Sequence, residues 1–124
     1  MKTFIILLTL VLLGLTASSN SQTVFTANDL NISMNNGEAF DISLESNKST
    51  GYGWSAIVAD PTIIGTEGND YVTPETHVMG KGGNEVWHFR GVLQGETTIT
   101  FNYARSWEKD TPPAKTLTFT VSIK

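Results

Sequence analysis

Residues 98–103 alternate strictly between polar and apolar side chains: Thr98-Ile99-Thr100-Phe101-Asn102-Tyr103. A period of two places the two kinds of side chain on opposite faces of a β-strand, so this stretch predicts a strand with one buried face. The same pattern recurs along the chain, and helical periodicity is hard to find. Its apolar members elsewhere are Leu30, Ile32, Met34, Phe40, Ile42, Leu44, Trp54, Ala56, Val58, Trp87, Phe89, Leu117, Phe119, Val121 and Ile123. The sequence therefore predicts an all-β protein.

Turn signals separate these alternating runs. Asn36-Gly37 favours a tight hairpin turn between the first two runs, because both residues tolerate positive φ angles. Asp60-Pro61 ends the third run, since proline removes a ladder donor, and a short Ile63-Ile64 segment follows. About seven short strands in about 100 residues favour an immunoglobulin-like antiparallel β-sandwich, with a small barrel as the alternative.

The first residues have the composition of a secretory signal peptide. Lys2 supplies a positive charge, residues 4–13 are almost wholly apolar, and small residues follow. Cleavage after Ala17 or Ser19 satisfies the small-residue preference, and with Ser19 the signal peptide is 1–19 and the single mature domain is 20–124. The apolar run is too short for a bilayer, which needs about 20 residues, so no membrane span is expected after its removal. The predicted location is the secretory pathway, in an endolysosomal or other vesicle lumen or outside the cell.

Composition argues against several functions. The chain has no cysteine, so the fold has no disulfide and no thiol nucleophile is available. The formal net charge of −4 leaves no basic field that would gather nucleic acid. His77 and His88 have no acidic residue at metal-ligand spacing, which argues against a zinc site. Glu67-Gly68-Asn69-Asp70 is too sparse in carboxylates for a calcium loop. No Gly-x-Ser-x-Gly motif supports a Ser-His-Asp triad. Neither an enzyme nor a metal or cofactor site is predicted.

Three loop-type segments interrupt the alternation: Asn47-Lys48-Ser49-Thr50-Gly51-Tyr52, Gly80-Lys81-Gly82-Gly83 and Arg105-Ser106-Trp107. We call them the first, second and third loops. Taken singly, they could be an ordinary exposed loop, a flexible glycine run and a tryptophan folded over the core. Together they are more informative, because the connections of a sandwich gather at its ends and an exposed Trp beside an Arg has the composition of an interface anchor. The three loops are therefore predicted to form one binding edge.

The ordered triplet resembles the signature of the chagasin-like inhibitors of papain-like cysteine proteases. That signature is an Asn-Pro-Thr-Thr-Gly loop, a Gly-x-Gly-Gly loop and an Arg-Pro-Trp (or Phe) loop. The positions that match are Asn47, Thr50, Gly51, Gly80, Gly82, Gly83, Arg105 and Trp107. Lys48, Ser49 and Ser106 depart from it, standing where the family has proline, threonine and proline.

The resemblance implies a reversible, tight-binding inhibitor that occludes the cleft of a papain-like protease of the cathepsin L or B type. Separately, a monomer is expected because the sequence has no coiled-coil or long apolar edge pattern. The resemblance also implies that Thr50 sits over the catalytic cysteine, that the second loop lies on the non-primed side, and that Arg105 and Trp107 hold the primed side. The implied protease-binding residues are Asn47, Lys48, Ser49, Thr50, Gly51, Tyr52, Gly80, Lys81, Gly82, Gly83, Arg105, Ser106 and Trp107.

Two other functions remain open from the residues alone. One is a secreted immunoglobulin-like adhesion or ligand-binding module without inhibitory activity, because fold does not fix function. The other is a carbohydrate-binding module that stacks sugars on Trp54, Trp87 and Trp107, which is disfavoured because Trp54 and Trp87 occupy core positions of predicted strands.

The chain contains two sequons for N-glycosylation, Asn31-Ile32-Ser33 in a predicted strand and Asn47-Lys48-Ser49 in the first loop. A glycan on Asn47 would block insertion of the first loop into a narrow cleft. Asn47 is therefore predicted to be unmodified in an active inhibitor.

Overall fold

The computed structural model describes residues 22–73 and 82–124, which form eight β-strands and one 3-10 turn. The predicted signal peptide at 1–19 lies outside the described residues. The described part contains no helix with the length and apolar character needed to cross a membrane. The strands are β1 (Thr23–Phe25), β2 (Asn31–Met34), β3 (Ala39–Ser46), β4 (Tyr52–Val58), β5 (Ile64–Val72), β6 (Gly83–Gly91), β7 (Gly95–Arg105) and β8 (Lys115–Ile123).

The strands form two four-stranded sheets packed as a sandwich. Sheet A has the order β1-β3-β6-β5, and sheet B has the order β2-β8-β7-β4. The predicted all-β sandwich without a disulfide is confirmed. Two pairings, β1 with β3 and β2 with β8, are parallel, and the remaining four are antiparallel. The structure has one strand more than the seven expected from sequence. The additional strand is β1, whose three residues are too few to show alternation.

The core lies between the sheets, at the inward positions of the alternating runs. Phe40 of β3 is opposite Phe89 of β6, Ile99 of β7 is opposite Phe119 of β8, and all four are fully buried. Phe101 packs edge-on against Phe89 and Phe119, with ring centroids 6.2 and 5.6 Å away. Interlocked aromatic rings of this kind bury large apolar areas, which lets the fold do without cysteine.

The tryptophans of β4 and β6 belong to this core. Trp54 is 8% exposed, and Trp87 is half-buried and packs edge-on against Phe101, with ring centroids 5.8 Å apart. Their burial removes two of the three stacking platforms that a carbohydrate-binding module would need. Leu30, in contrast, is 42% exposed and precedes β2, so its assignment to the buried face was wrong.

The turn at Asn36-Gly37 exists, but it does not join a hairpin. Gly37 has the expected positive φ, +90°, whereas Asn36 does not, since no described non-glycine residue has a positive φ. However, β2 pairs with β8 in sheet B, whereas β3 pairs with β1 and β6 in sheet A. The turn therefore carries the chain from one sheet to the other. A turn residue determines the local backbone path, but the strand partner depends on contacts made far away in sequence.

Of the short segment predicted at Ile63-Ile64, Ile64 begins a nine-residue strand, β5, and Ile63 lies in the turn before it. Its later residues carry glycine, asparagine and aspartate, which are depleted in strands, and the register shifts between Thr66 and Gly68. Pairing with β6 overrides these weak local propensities. The segment from Glu67 to Asp70, rejected from sequence as a calcium loop, is thus part of an edge strand of sheet A.

Candidate functional site

The described residues of the three loops meet at one end of the sandwich. The strand register brings Ser46 of β3 beside Gly83 of β6 and Tyr52 of β4 beside Arg105 of β7. The first loop crosses from sheet A to sheet B, the second follows β5, and the third follows β7. Gly80 and Lys81 of the second loop lie outside the described residues, whereas every residue of the other two loops is described.

The first loop is a hydrogen-bonded turn. Lys48–Thr50 form a single 3-10 turn, and Gly51 ends it with a φ of +83°. The side-chain oxygen of Asn47 accepts hydrogen bonds from the backbone N–H of Ser49 at 3.1 Å and from its hydroxyl at 2.6 Å. The hydroxyl of Thr50 donates to the carbonyl of Asn47 at 2.7 Å. Short polar side chains at the start of a turn fix the backbone in this way. The first loop therefore keeps a hydrogen-bonded turn although Lys48 stands where the family signature has proline.

Two tyrosines support the base of the first loop from opposite sheets. The hydroxyl of Tyr103 on β7 accepts a hydrogen bond from the backbone N–H of Asn47 at 3.1 Å. The hydroxyl of Tyr71 on β5 donates to the carbonyl of Ser46 at 3.2 Å. The ammonium group of Lys48 lies 4.5 Å from the centroid of the Tyr71 ring, a cation–π distance. Because both tyrosines lie on strands, their hydrogen bonds attach the first loop to the two sheets.

A buried carboxylate lies under the first loop. Glu85 on β6 is 6% exposed, and it accepts hydrogen bonds from the Ser46 hydroxyl at 2.7 Å and from the Trp54 backbone N–H at 3.1 Å. The Trp54 indole N–H donates to the carbonyl of Glu45 at 2.9 Å. Burying a carboxylate is costly unless it is well hydrogen-bonded. Here the Glu85 carboxylate links β3 and β4, the strands before and after the first loop, which belong to different sheets.

The two described glycines of the second loop allow close approach of neighbouring backbone. A side chain at Gly82 would come within 2.8 Å of the Ser46 carbonyl oxygen and 3.2 Å of the Asn47 Cβ. A side chain at Gly83 would overlap the carbonyl oxygen of Val72. The absence of a Cβ therefore lets Gly82 pack against the base of the first loop and Gly83 pack against the end of β5.

The third loop holds the first loop through Arg105. The Nε of Arg105 donates a hydrogen bond to the carbonyl of Thr50 at 3.2 Å. Its guanidinium lies 4.4 Å from the centroid of the Tyr52 ring, and Nη1 is 3.4 Å from a carboxylate oxygen of Glu108. A planar guanidinium can make a directed bond and stack on an aromatic ring together, so Arg105 fixes Thr50 relative to β4.

Trp107 is exposed at the same place. Its side chain is 65% exposed, and its indole contacts Gly51 rather than the core between the sheets. A Cβ at Gly51 would overlap Cη2 of Trp107. The arrangement favours the interface-anchor interpretation over that of a lid on the core, because most of the aromatic surface faces outward.

Comparison with known proteins agrees with this geometry. The family model of the chagasin family peptidase inhibitors (I42) matches residues 33–123. Amoebiasin-2 of Entamoeba histolytica is 34% identical over 99 residues, covering 77% of this chain and 76% of the relative. The chain belongs to the chagasin family of peptidase inhibitors.

Solved structures show the same fold. The cysteine protease inhibitor EhICP2 from Entamoeba histolytica superposes with a TM-score of 0.72 at 22% identity, covering 82% of this chain and 94% of that one. PbICP-C, solved in complex with falcipain-2, superposes with a TM-score of 0.62 at 20% identity, covering 86% and 93%. The resemblance drawn from the three loops is confirmed, and the protein is a protease inhibitor rather than an enzyme.

Within this chagasin-family domain, the structure brings together the described residues of the three loops. Arg105 and Trp107 contact the first loop directly, and Gly82 packs against its base. Sequence reasoning missed Glu85, Tyr71 and Tyr103 as supports of that loop. Glu85 could have been found, because it shares the inward phase of Trp87 and Phe89 and a lone carboxylate in that phase needs buried partners.

His88 lies apart from the three loops, on the outer face of sheet A. Its Nδ1 is 2.7 Å from Asp41 and its Nε2 is 2.8 Å from Asp70, so the histidine does have acidic partners, on strands that sequence spacing did not connect. The hydrogen bond to Asp41 and then that to Asp70 raise the pKa of His88. In residues 22–73 and 82–124, no cluster of three or more His, Cys, Asp or Glu side chains is arranged to hold a metal ion. His77 lies outside the described residues.

Proposed function

We propose that this inhibitor acts on papain-like cysteine proteases by filling their active-site cleft with the three loops. The observation that carries the proposal is the bracing of the first loop by the third. Arg105 holds the Thr50 carbonyl and Trp107 covers Gly51, which combines two distant segments into one projecting edge. Preorganised loops lose little conformational entropy on binding, which suits a tight-binding inhibitor.

The first loop has a shape that a protease can bind but cannot easily cleave. Its backbone is folded by hydrogen bonds from Thr50 N–H to the Asn47 carbonyl at 3.2 Å and from Gly51 N–H to the Lys48 carbonyl at 3.1 Å. Cleavage requires a peptide carbonyl held in attack geometry close to the nucleophile. A hydrogen-bonded turn opposes the extended conformation that would present one. Thr50 is exposed within this turn, and this placement supports its assignment opposite the catalytic cysteine.

Gly82 of the second loop adjoins the start of this turn, and the third loop adjoins its end. Gly82 and Gly83 offer backbone without side chains, which favours pairing with an extended protease segment. Trp107 and Arg105 provide an aromatic and cationic surface for the opposite side of the cleft. Thr50, Gly82 with Gly83, and Arg105 with Trp107 are therefore the residues that we assign to the protease contact, together with the other members of the three loops.

We further propose that the chain enters the secretory pathway and works in a vesicle lumen or outside the cell. The support is the positive, then apolar, then small-residue order of positions 1–19.

A titration tests the inhibitory function. Recombinant residues 20–124, shown to be folded by circular dichroism, are titrated against papain and a cathepsin L-type enzyme with a fluorogenic peptide substrate. A trypsin-like serine protease serves as the control. We expect both cysteine proteases to lose activity near equimolar inhibitor and the serine protease to be unaffected. Full activity of both cysteine proteases with folded inhibitor would instead favour a secreted binding module without inhibitory activity.

A further inference from the structure

The Asn31-Ile32-Ser33 sequon lies on a strand that displays its acceptor to solvent. In β2, Ile32 and Met34 face the core at 2% and 8% exposure, whereas Asn31 and Ser33 are exposed on the outer face of sheet B. Among the residues that the structure describes, none forms a hydrogen bond with the side-chain amide of Asn31. A bulky glycan on this amide would displace no packed group.

The second sequon, at Asn47, has the opposite environment. Asn47 is half-buried, its side-chain oxygen accepts two hydrogen bonds from Ser49, and Gly82 packs against its Cβ. Ser49, which the sequon requires, is thus part of the same closed turn. Attachment of a glycan there would place a large group on the edge that we assign to the protease contact.

The position of β2 in sheet B separates Asn31 from the inhibitory loops. Asn31 pairs with Thr120, which is five residues along β8 from Lys115, the partner of Tyr103 near the loop end. At a rise of about 3.4 Å per residue, this offset is roughly 17 Å. In addition, β2 and β4 are the opposite edges of sheet B, and β4 is the strand that leaves the first loop. The two positions are therefore separated both along and across the sheet.

We propose that Asn31 is the N-glycosylation site of this inhibitor, that Asn47 stays unmodified, and that the Asn31 glycan leaves inhibition intact. The proposal rests on the secretory route argued above. In the transfer, the amide nitrogen of Asn31 bonds to the anomeric carbon of a lipid-pyrophosphate-linked oligosaccharide, the lipid pyrophosphate leaves, and the amide loses one proton.

The glycan would also cover a vulnerable edge of the sheet. β2 is an edge strand, and edge strands present backbone groups that can pair with another chain. With Asn31 on it and Leu30 exposed next to it, a hydrated oligosaccharide would oppose such association. The site therefore suits solubility in a crowded lumen without cost to the loops.

Secretion of the full chain from a eukaryotic cell line tests the proposal. Intact mass is measured before and after treatment with peptide N-glycosidase, for the wild type and for Asn31→Gln, Ser33→Ala and Ser49→Ala. Because the glycosidase converts the modified asparagine to aspartate, peptide mapping of the wild type assigns the site even if a variant fails to fold. Inhibition of papain is titrated on the same samples, with unglycosylated bacterial protein as the reference.

We expect one glycan on the wild type, its loss in Asn31→Gln and Ser33→Ala, and its retention in Ser49→Ala. Titration end points should agree within twofold before and after glycosidase treatment. Failure of the chain to be secreted, a secreted chain without a glycan, a glycan on Asn47, or inhibition that appears only after glycosidase treatment would each overturn the proposal. Failure of the bacterial protein to inhibit would contradict the proposed function instead, whatever the glycan analysis shows.

Discussion

The indole of Trp107 occupies the space that a side chain at residue 51 would need, and so Gly51 and Trp107 fit together only while residue 51 is glycine. The same glycine has a φ of +83°, a left-handed conformation that other residues rarely adopt. Gly51 is thus required for both its backbone and its missing Cβ. The pair joins the first loop to the third, so that the two loops form one unit.

Replacing Gly51 with alanine should weaken inhibition of papain at least about tenfold, which corresponds to about 1.4 kcal/mol. The added methyl group displaces the Trp107 indole, and the left-handed backbone adds strain of about 1 kcal/mol. Inhibition constants measure the first effect and thermal unfolding the second.

Gly37→Ala is the matched control, because Gly37 has a φ of +90° but open space around its Cβ position, at the opposite end of the domain. It should lose similar stability and keep its inhibition constant. Equal inhibition by both variants would contradict the role assigned to the Gly51 and Trp107 contact.

Truncation of Trp107 to alanine should weaken inhibition by at least about 2 kcal/mol, as removal of an aromatic anchor commonly does. The side chain is 65% exposed in the free protein, so the melting temperature should change little. Leu93→Ala provides a control, since Leu93 is 53% exposed in the β6–β7 connection at the other end. An unchanged inhibition constant for Trp107→Ala would remove Trp107 from the contact.

The Arg105→Lys variant should inhibit roughly three- to tenfold less well, which is the effect of losing one net hydrogen bond. Lysine keeps the positive charge but has no Nε donor for the Thr50 carbonyl and no planar group to stack on Tyr52. Arg90→Lys is matched in chemistry, because Arg90 donates to Glu67 and to the Gly37 carbonyl far from the loops. If both lysine variants inhibited like the wild type, the bracing by Arg105 would be unnecessary for inhibition.

Loss of the Glu85 carboxylate should reduce the free energy of unfolding. Glu85→Ala leaves the Ser46 hydroxyl and the Trp54 backbone N–H without their buried acceptor, at a cost of about 1–3 kcal/mol. Urea unfolding measures this change. Glu96→Ala removes an exposed carboxylate that accepts a bond from Ser122, and it should stay within about 0.5 kcal/mol of the wild type. Similar stability of the two variants would show that Glu85 is not a structural tie.

The stability that His88 contributes should depend on pH. Its folded-state pKa is raised, chiefly by Asp41 and also by Asp70, above the ordinary value of about 6.5 that applies to the unfolded chain. The stabilising effect is therefore complete below pH of about 6.5 and is lost as the pH rises through the raised pKa. Melting temperatures of the wild type and His88→Gln should differ most in mild acid and converge at alkaline pH. A difference that grows with increasing pH would contradict this assignment.

Much of the sandwich could be predicted because period-two alternation is a local property of the chain. The inward residues Phe40, Phe89, Phe101 and Phe119 were all identified this way and are all fully buried. Strand partners were harder to predict. The Asn36-Gly37 turn suggested a hairpin, but β2 pairs with β8 at the far end of the sequence. Similarly, β5 is a strand because β6 lies beside it, and not because its glycine-rich sequence favours extension.

The sequence by itself determined the alternation that builds the two sheets, the order of the three loops, and the glycines at positions 51, 82 and 83. Tertiary structure alone decided that Arg105 reaches the Thr50 carbonyl, that Trp107 lies on Gly51, and that Glu85 joins strands of both sheets. The physical reason is that side-chain periodicity is set by neighbours in the chain, whereas these contacts join residues far apart in sequence. The pairing of β4 with β7 in sheet B brings the first and third loops together, and the packing of sheet A on sheet B brings Glu85 to Trp54.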